Sequence, residues 1–471
     1  MLLFTSPLLA GEHPVPRLVR DIRPGPESSL PSNLIAVGSR VCFTADDGVH
    51  QTEWWTSDGT QAGTRLVKDV VGSGHYMVVK DSMQAVVDRV LYFTFVSDDA
   101  ELWRTDCTAK GTYRVKDIRK GPIGSHPSDL TAVGKQFFFV ANDGQRGFEL
   151  WKSDGTEKGT VPVRSLAAQP TQERAALEGR VELRGQPSAR QRAAIGKALS
   201  YAEVAIGSGP RPERLHAVGD SLVYSFDDGV HGSELWVSDG TDAGTHLLKE
   251  TRPGKDSIVP WHMQPAGRLL YFRSLAGSPS TELWRTDGTA DGTRLVRSLP
   301  VGLSSGGWVQ AGFSESVVFS LEGKNLATQL WTSDGTEQGT KQLALEGVPS
   351  AAATSKGIFL LANAQKGAPS GLYELRSGAP QRIAELPKPA ADGSYRSLVA
   401  AGDRVFFSES ALGQPLRGIW TSDGTQEGTF KLGDFADYGK HGGFHLAAVG
   451  QRVYFTAARS AGDVELWSID F

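Results

Sequence analysis

One pattern of apolar and polar positions recurs along the chain: an apolar pair, a polar turn, then a β-branched strand. In residues 149–160 it reads ELWKSDGTEKGT. Leu150 and Trp151 are adjacent, so on an extended ribbon they point to opposite faces. Both are apolar, and both faces should therefore be covered. Asp154-Gly155 predicts a tight turn, because glycine enters positive φ without steric cost. Gly159-Thr160 then opens the next strand. The same pattern begins at Glu53, Glu101, Glu234, Glu282, Gln329 and Gly418. A worn copy begins at Gly371, and a truncated one, ELWSIDF, ends at Phe471.

The motif aromatics are Trp55, Trp103, Trp151, Trp236, Trp284, Trp331, Tyr373, Trp420 and Trp467, with steps of 48, 48, 85, 48, 47, 42, 47 and 47. A unit of about 47 residues matches a four-stranded propeller blade. In the first unit the strands are expected at 34–37, 40–45, 53–57 and 64–70. The turn Asp46-Asp47-Gly48 recurs as Asn142-Asp143-Gly144 and Asp227-Asp228-Gly229. Nine motif positions predict nine blades; the alternative is eight blades with an irregular stretch around Tyr373.

The two ends complement each other. Residues 17–22 match residues 113–118, so the chain opens on a fourth strand without the first three. It stops after a third strand. The N-terminal strand is therefore expected to complete the C-terminal blade, giving one closed, all-β propeller over residues 16–471. Residues 1–15 read as a clipped signal or leader segment: the run 2–10 is apolar, but it has no basic flank and Pro7 interrupts it.

The step from Trp151 to Trp236 is 37 residues longer than a 48-residue step. Residues 169–206 are rich in Ala, Arg, Glu and Leu and predict an α-helical insert, with Ser188 as the N-cap of a helix over 188–204. The segment holds six basic side chains against four acidic ones. Arg190 and Lys197, seven apart, share one helix face and are candidates for meeting an acidic partner.

Charge and composition narrow the function classes. The net charge of −4 is no basic footprint for nucleic acid. No later apolar run is long enough to span a membrane. The two cysteines, Cys42 and Cys107, exclude a disulfide scaffold and a cysteine-rich metal site. They lie at non-equivalent positions of the repeat, and nothing in the spacing places them together. The histidines have no metal-ligand spacing, so neither metal nor cofactor is implied. His50 and His231 occupy the same place in two copies of Asp-Asp-Gly-Val-His and read as loop residues, while His216 reads as a packed histidine of an inner strand.

The motif resembles that of the bacterial ELWxxDGT-repeat family. The resemblance covers essentially the whole chain except the first sixteen residues and the insert. It implies a secreted or envelope-associated β-propeller, and it implies no catalytic residue. This chain departs from the motif at Trp54, Cys107, Gln329 and the eroded unit at Tyr373.

Each repeated feature has a functional and a structural reading. The turn aspartates, such as Asp58 and Asp154, are too few per turn for a calcium site, which takes six or more oxygens. Accepting hydrogen bonds from their own turn is the reading favoured here. The motif tryptophans suit packing between blades better than sugar stacking; Trp261 and Trp308 lie outside the motif. One position does vary, five residues before the glycine that follows most of the inner strands. It reads Asn33, Ser82, Asp129, Arg214, His262, Gly307, Ser350, Ser397 and His445. Inner strands line the channel of a propeller, so Asp129, Arg214, His262 and His445 are candidate ligand-binding residues at its mouth. The expected function is an extracytoplasmic binding or scaffold protein, monomeric, recognising a protein or glycan. The alternative is a glycan hydrolase or lyase with its site at that mouth.

Overall fold

The computed structural model describes residues 13–70, 77, 79–95, 99–121, 123–164, 211–252, 260–274, 281–299, 310–322, 328–364, 369–389, 393–410, 416–436, 445–458, 460 and 462–471. The expected insert at 169–206, with Arg190 and Lys197, lies outside them, as do residues 1–12, Gly307 and Trp308. Among the described residues the fold is all-β, with one short 3-10 turn at Asp81–Met83.

The strands form a series of antiparallel sheets. The first joins Ser32–Val37, Arg40–Asp46, Thr52–Ser57 and Arg65–Lys68, each strand bonded to the next in sequence. Four-stranded sheets of the same order begin at Gln84–Val87, Ser128–Val133, Glu213–Val218, Pro260–Ala266, Gln310–Phe313 and Ser350–Ala353. A further sheet has eight strands, and its two runs of four meet at the single pair Ala436↔Ala458. This succession of four-stranded meanders fits a β-propeller. By contacts the chain divides into two compact units: Met1–Tyr76 with Trp308–Ala311 and Leu343–Phe471, and Met77–Gly307 with Gly312–Gln342.

In the first unit the two ends of the chain pair as their sequences predict. Arg17–Arg20 lies antiparallel to Val464–Asp470, with Leu18 opposite Trp467. The Glu465 carboxylate accepts from the Ile22 and Ser29 amides at 3.1 and 3.2 Å and from the Ser29 hydroxyl at 2.7 Å. Arg17 and Asp470 form an ion pair at 3.0 Å.

Apolar residues on the second and third strands build the core. Phe43 stands opposite Trp55, Phe139 opposite Trp151 and Phe319 opposite Trp331. Leu150 is fully buried and Trp151 is 5 % exposed, so both faces of the motif strand are covered. The worn copy still forms a regular third strand, Gly371–Arg376. Its turn is a two-residue hairpin, Ser377-Gly378, with φ of 49° and 69°.

The intact turns are closed by one hydrogen-bond network. The Asp58 Oδ1 atom accepts from the Thr60 amide at 3.0 Å and from its hydroxyl at 2.7 Å. Thr60 Oγ1 in turn accepts from the Gly63 amide at 2.9 Å. The Thr64 hydroxyl donates to the Thr60 carbonyl, and the Gly59 amide donates to Ser57 Oγ. Ser57 and Thr64 hydroxyls are 2.7 Å apart. The Thr64 proton is already engaged, so Ser57 donates in that pair. Gly63 has no freedom to change: a Cβ there would stand 2.0 Å from Asp58 Oδ1. Equivalent serine or threonine pairs recur from Thr105, Ser153, Ser238, Thr286, Ser333 and Ser422. The turn reading of the aspartates is thus the one the structure displays.

Two further contacts tie neighbouring repeats together. A basic residue on a fourth strand donates to the carbonyl of the turn threonine of the next repeat: Arg20 to Thr64, Lys116 to Thr160 at 2.7 Å, Lys249 to Thr293 at 2.7 Å and Arg297 to Thr340. The motif glutamate binds the connection that leaves its own sheet. Glu101 accepts from the amides of Ile118, Arg119 and Ser125, and Glu234 from those of Thr251 and Arg252. Burial raises the pKa of both carboxyls, and it pushes Glu465 up to about 6. Hydrogen bonds from the turn threonines hold Asp58, Asp154, Asp239, Asp287 and Asp334 below the ordinary value.

The cysteines correct the expectation drawn from their spacing. Both Cys42 and Cys107 are disulfide-bonded, and neither is a free thiol. Cys107 also occupies the glycine position of its turn at a φ of 66°.

Replacing Cys107 with glycine should relieve about 1 kcal/mol of backbone strain and remove a disulfide worth about 2–4 kcal/mol. Cys107→Gly is therefore expected to melt below the parent in oxidising buffer and above it after reduction; a higher melt in both buffers would mean that the disulfide adds nothing. The carboxyls make a second expectation. The Glu465 contribution is full below 4.5 and is lost as pH rises through about 6. That of the turn aspartates is present above 3.8 and is lost as pH falls through their lowered folded values. The melting temperature should peak at roughly pH 4–5 and decline toward neutrality. Glu465→Gln should flatten part of that decline, and an identical pH profile in the variant would refute this account.

Candidate functional site

The variable position marks a repeated backbone irregularity. On the first strand of several sheets one extra residue enters the ladder: the register shifts between Ser32 and Ile35, Ser128 and Thr131, Glu213 and His216, Trp261 and Gln264, and Arg396 and Val399. The bulged residues are Asn33, Asp129, Arg214, His262 and Ser397, with φ of 51°, 56°, 55°, 50° and 57°. A bulge of this form normally takes glycine at its left-handed position. None of the five is glycine. The residue after each bulge is apolar and buried: Leu34, Leu130, Leu215, Met263 and Leu398. The bulge therefore keeps the core side chain inward while it re-aims the residue before it.

Three of the four candidate site residues, Asp129, Arg214 and His262, occupy this equivalent place. His445 precedes the strand Leu446–Val449, and its carbonyl accepts from the Thr456 amide at 3.2 Å. Asp129 accepts from Ser128 Oγ at 3.0 Å and pairs with Arg211 at 3.4 Å. The Arg211 guanidinium also lies over the Phe148 ring, 5.0 Å from its centroid. Arg214 pairs with Glu213 at 2.8 Å. Asp129 and Arg214 thus each stand in a charge pair. Arg211 could have been suspected only from the fold, because 82 residues separate it from Asp129.

The second-to-third strand loops carry further charge pairs. His50 Nδ1 faces Asp47 Oδ2 at 2.8 Å, and His231 faces Asp228 at 2.7 Å. The hydrogen bond to aspartate raises both imidazole pKa values. In a third loop Arg146 takes the place of histidine and pairs with Asp143 at 3.2 Å. The position therefore calls for a cation, consistent with a loop role. His216 lies on Glu213–Val218, where burial holds its imidazole down at about 4 and thus neutral at physiological pH. Trp55, Trp151, Trp236, Trp331 and Trp420 are all buried, which gives the motif tryptophans their packing role. Among the described residues no cluster of His, Cys, Asp and Glu has metal-site geometry, and no helix is long and apolar enough to cross a membrane.

The class defined by these sheets is an all-β repeat protein of β-propeller type. No protein-family model matches the chain, and no curated protein matches its sequence. Among solved structures it is similar to a puromycin hydrolase at 14 % identity, with 80 % of this chain and 58 % of that chain covered and a TM-score of 0.37. The chain thus spans less than two thirds of that enzyme's length. A puromycin-hydrolyzing peptidase of Mycobacterium tuberculosis is similar at 12 % identity, with 96 % and 63 % covered and a TM-score of 0.43. The β-propeller domain of the Trilobed protease from Pyrococcus furiosus is similar at 12 % identity, with 73 % and 95 % covered and a TM-score of 0.34. Likenesses at this level transfer no activity to the chain.

Holding a non-glycine residue at left-handed φ costs on the order of 1 kcal/mol. Arg214→Gly and Ser397→Gly should each raise stability toward denaturant by about that amount. A loss of stability in both variants would show that the side chains, rather than the bulge, hold these strands.

Proposed function

We propose that this chain is a closed, nine-bladed β-propeller of the ELWxxDGT-repeat kind, acting outside the cytoplasm to bind a protein or glycan partner. The observation that carries the binding role is the bulge row. Its backbone is the same in five sheets, while its side chains are Asn33, Asp129, Arg214, His262 and Ser397. A uniform strained backbone bearing unlike polar groups suits recognition, since a purely structural bulge is better served by glycine. The pairing of Arg17–Arg20 with Val464–Asp470 supports ring closure. The eight-stranded sheet, divided as two runs of four, supports nine blades over eight.

The disulfide-bonded state of both cysteines supports the location. Disulfides persist in secreted and envelope compartments and are reduced in the cytosol.

The reading is tested by capture from an envelope extract and on a glycan array, with wild type beside an Arg214→Gly, His262→Gly double variant. The variant should stay folded and lose most of the capture. Equal capture by both proteins would move the binding surface away from the bulge row.

A further inference from the structure

The second strand of each sheet carries one position just beyond the aromatic that faces the motif tryptophan. It is Thr44, Ser225, Ser320, Ser408 and Thr456 in five sheets and Val140 in another, all buried. In two of these sheets the hydroxyl serves the bulge: Thr44 donates to the Ser32 carbonyl at 3.2 Å and Ser408 to the Arg396 carbonyl at 3.3 Å, whereas Ser225 pairs with Ser233 at 3.0 Å. In the sheet that contains His262 the same position is Arg273.

Arg273 is 6 % exposed. Its Nη1 donates to the Ser320 carbonyl of the neighbouring sheet at 3.4 Å, and its Nε has no hydrogen-bond partner. No carboxylate pairs with it among the described residues, and burial draws its pKa down to about 10, which leaves it charged at neutral pH. Its backbone partner across the bulge is Trp261, next in sequence to His262. A buried cation without a counter-charge is disfavoured, and the fold does not require one here, because an uncharged residue fills the position in the other sheets: serine or threonine in five, Val140 and Leu361 in two more.

We infer that Arg273 receives the carboxylate of a bound ligand, so that the sheet Pro260–Leu299 carries an anion-reading site next to its own bulge. The inference rests on the binding role proposed above and names the ligand class: an acidic sugar or a peptide carboxylate. The guanidinium offers planar donors that match a carboxylate in both geometry and charge. Burial removes competing water and strengthens the pairing.

The test is thermal unfolding of the full chain with sodium glucuronate, sodium acetate, glucose or sodium phosphate, at constant ionic strength. Two variants accompany the wild type: Arg273→Ser installs the residue found at this position in three other sheets (Ser225, Ser320 and Ser408), and Arg273→Met keeps the bulk without charge. Glucuronate and acetate should raise the wild-type melting temperature saturably, by roughly 1–2 °C, and glucose should not. Both variants should fold and lose the response. No response in wild type, or the same response in the variants, overturns the inference. A response to phosphate without one to glucuronate overturns the carboxylate class. Partner capture is measured on the same variants: capture that persists without any anion response leaves the binding role standing and removes only Arg273 from it.

Discussion

Each intact repeat depends on a turn whose polar groups satisfy one another in a closed circuit. Ser57 donates to Thr64, Thr64 to the Thr60 carbonyl, and Thr60 to Asp58, while the Gly59 and Gly63 amides feed in from the backbone. Ser57 and Thr64 are fully buried, so an unmatched hydroxyl there would cost about 1–3 kcal/mol. Chains of hydrogen bonds polarise one another, and a circuit with one member missing is worse than none. This explains why serine or threonine, aspartate, glycine and threonine repeat together along the chain. The unit around Tyr373 lost the whole set at once and took up a two-residue hairpin instead. No half-measure appears between the two solutions.

The circuit reaches beyond its own sheet. The carbonyl of its last threonine receives the lysine or arginine of the preceding repeat, as Thr160 receives Lys116. At the opposite end of the motif strand, the buried glutamate collects the amides of the outgoing connection, as Glu101 collects Ile118, Arg119 and Ser125. One twelve-residue stretch therefore sets its own turn, its upstream neighbour and its downstream connection. That is a physical reason for a motif stricter than strand pairing alone would need.

Most of this architecture was legible in the sequence, because its determinants are local and recur at fixed spacing. The strand–turn–strand unit, the turn role of the aspartates, the buried tryptophans and the pairing of residues 17–20 with the last strand all follow from aligning the copies. What escaped is what happens once. Cys42 and Cys107 are both disulfide-bonded and stand at non-equivalent positions, so no repeat could announce it. The Asp129–Arg211 pair spans the long insertion, and its charge partner cannot be found by period. The left-handed bulge was invisible because the usual sign of that backbone, glycine, is absent from Asn33, Asp129, Arg214, His262 and Ser397. Arg273 is the opposite case: it is a charged residue in a column of uncharged ones, in plain view, and only its burial gives the exception weight.

The contact between Glu465 and Ile22 joins residues 443 positions apart. A chain still being made displays Arg17–Arg20 as a bare, hydrogen-bond-hungry edge until Val464–Asp470, the strand that quenches it, has been added. Closing a loop of that length demands an entropic sacrifice of several kcal/mol, repaid only when the final strand docks. The terminal sheet should be the slowest part of the molecule to mature. Until Val464–Asp470 docks, that edge stays open to pairing with other chains, so the pairing of these two strands also guards the fold against self-association.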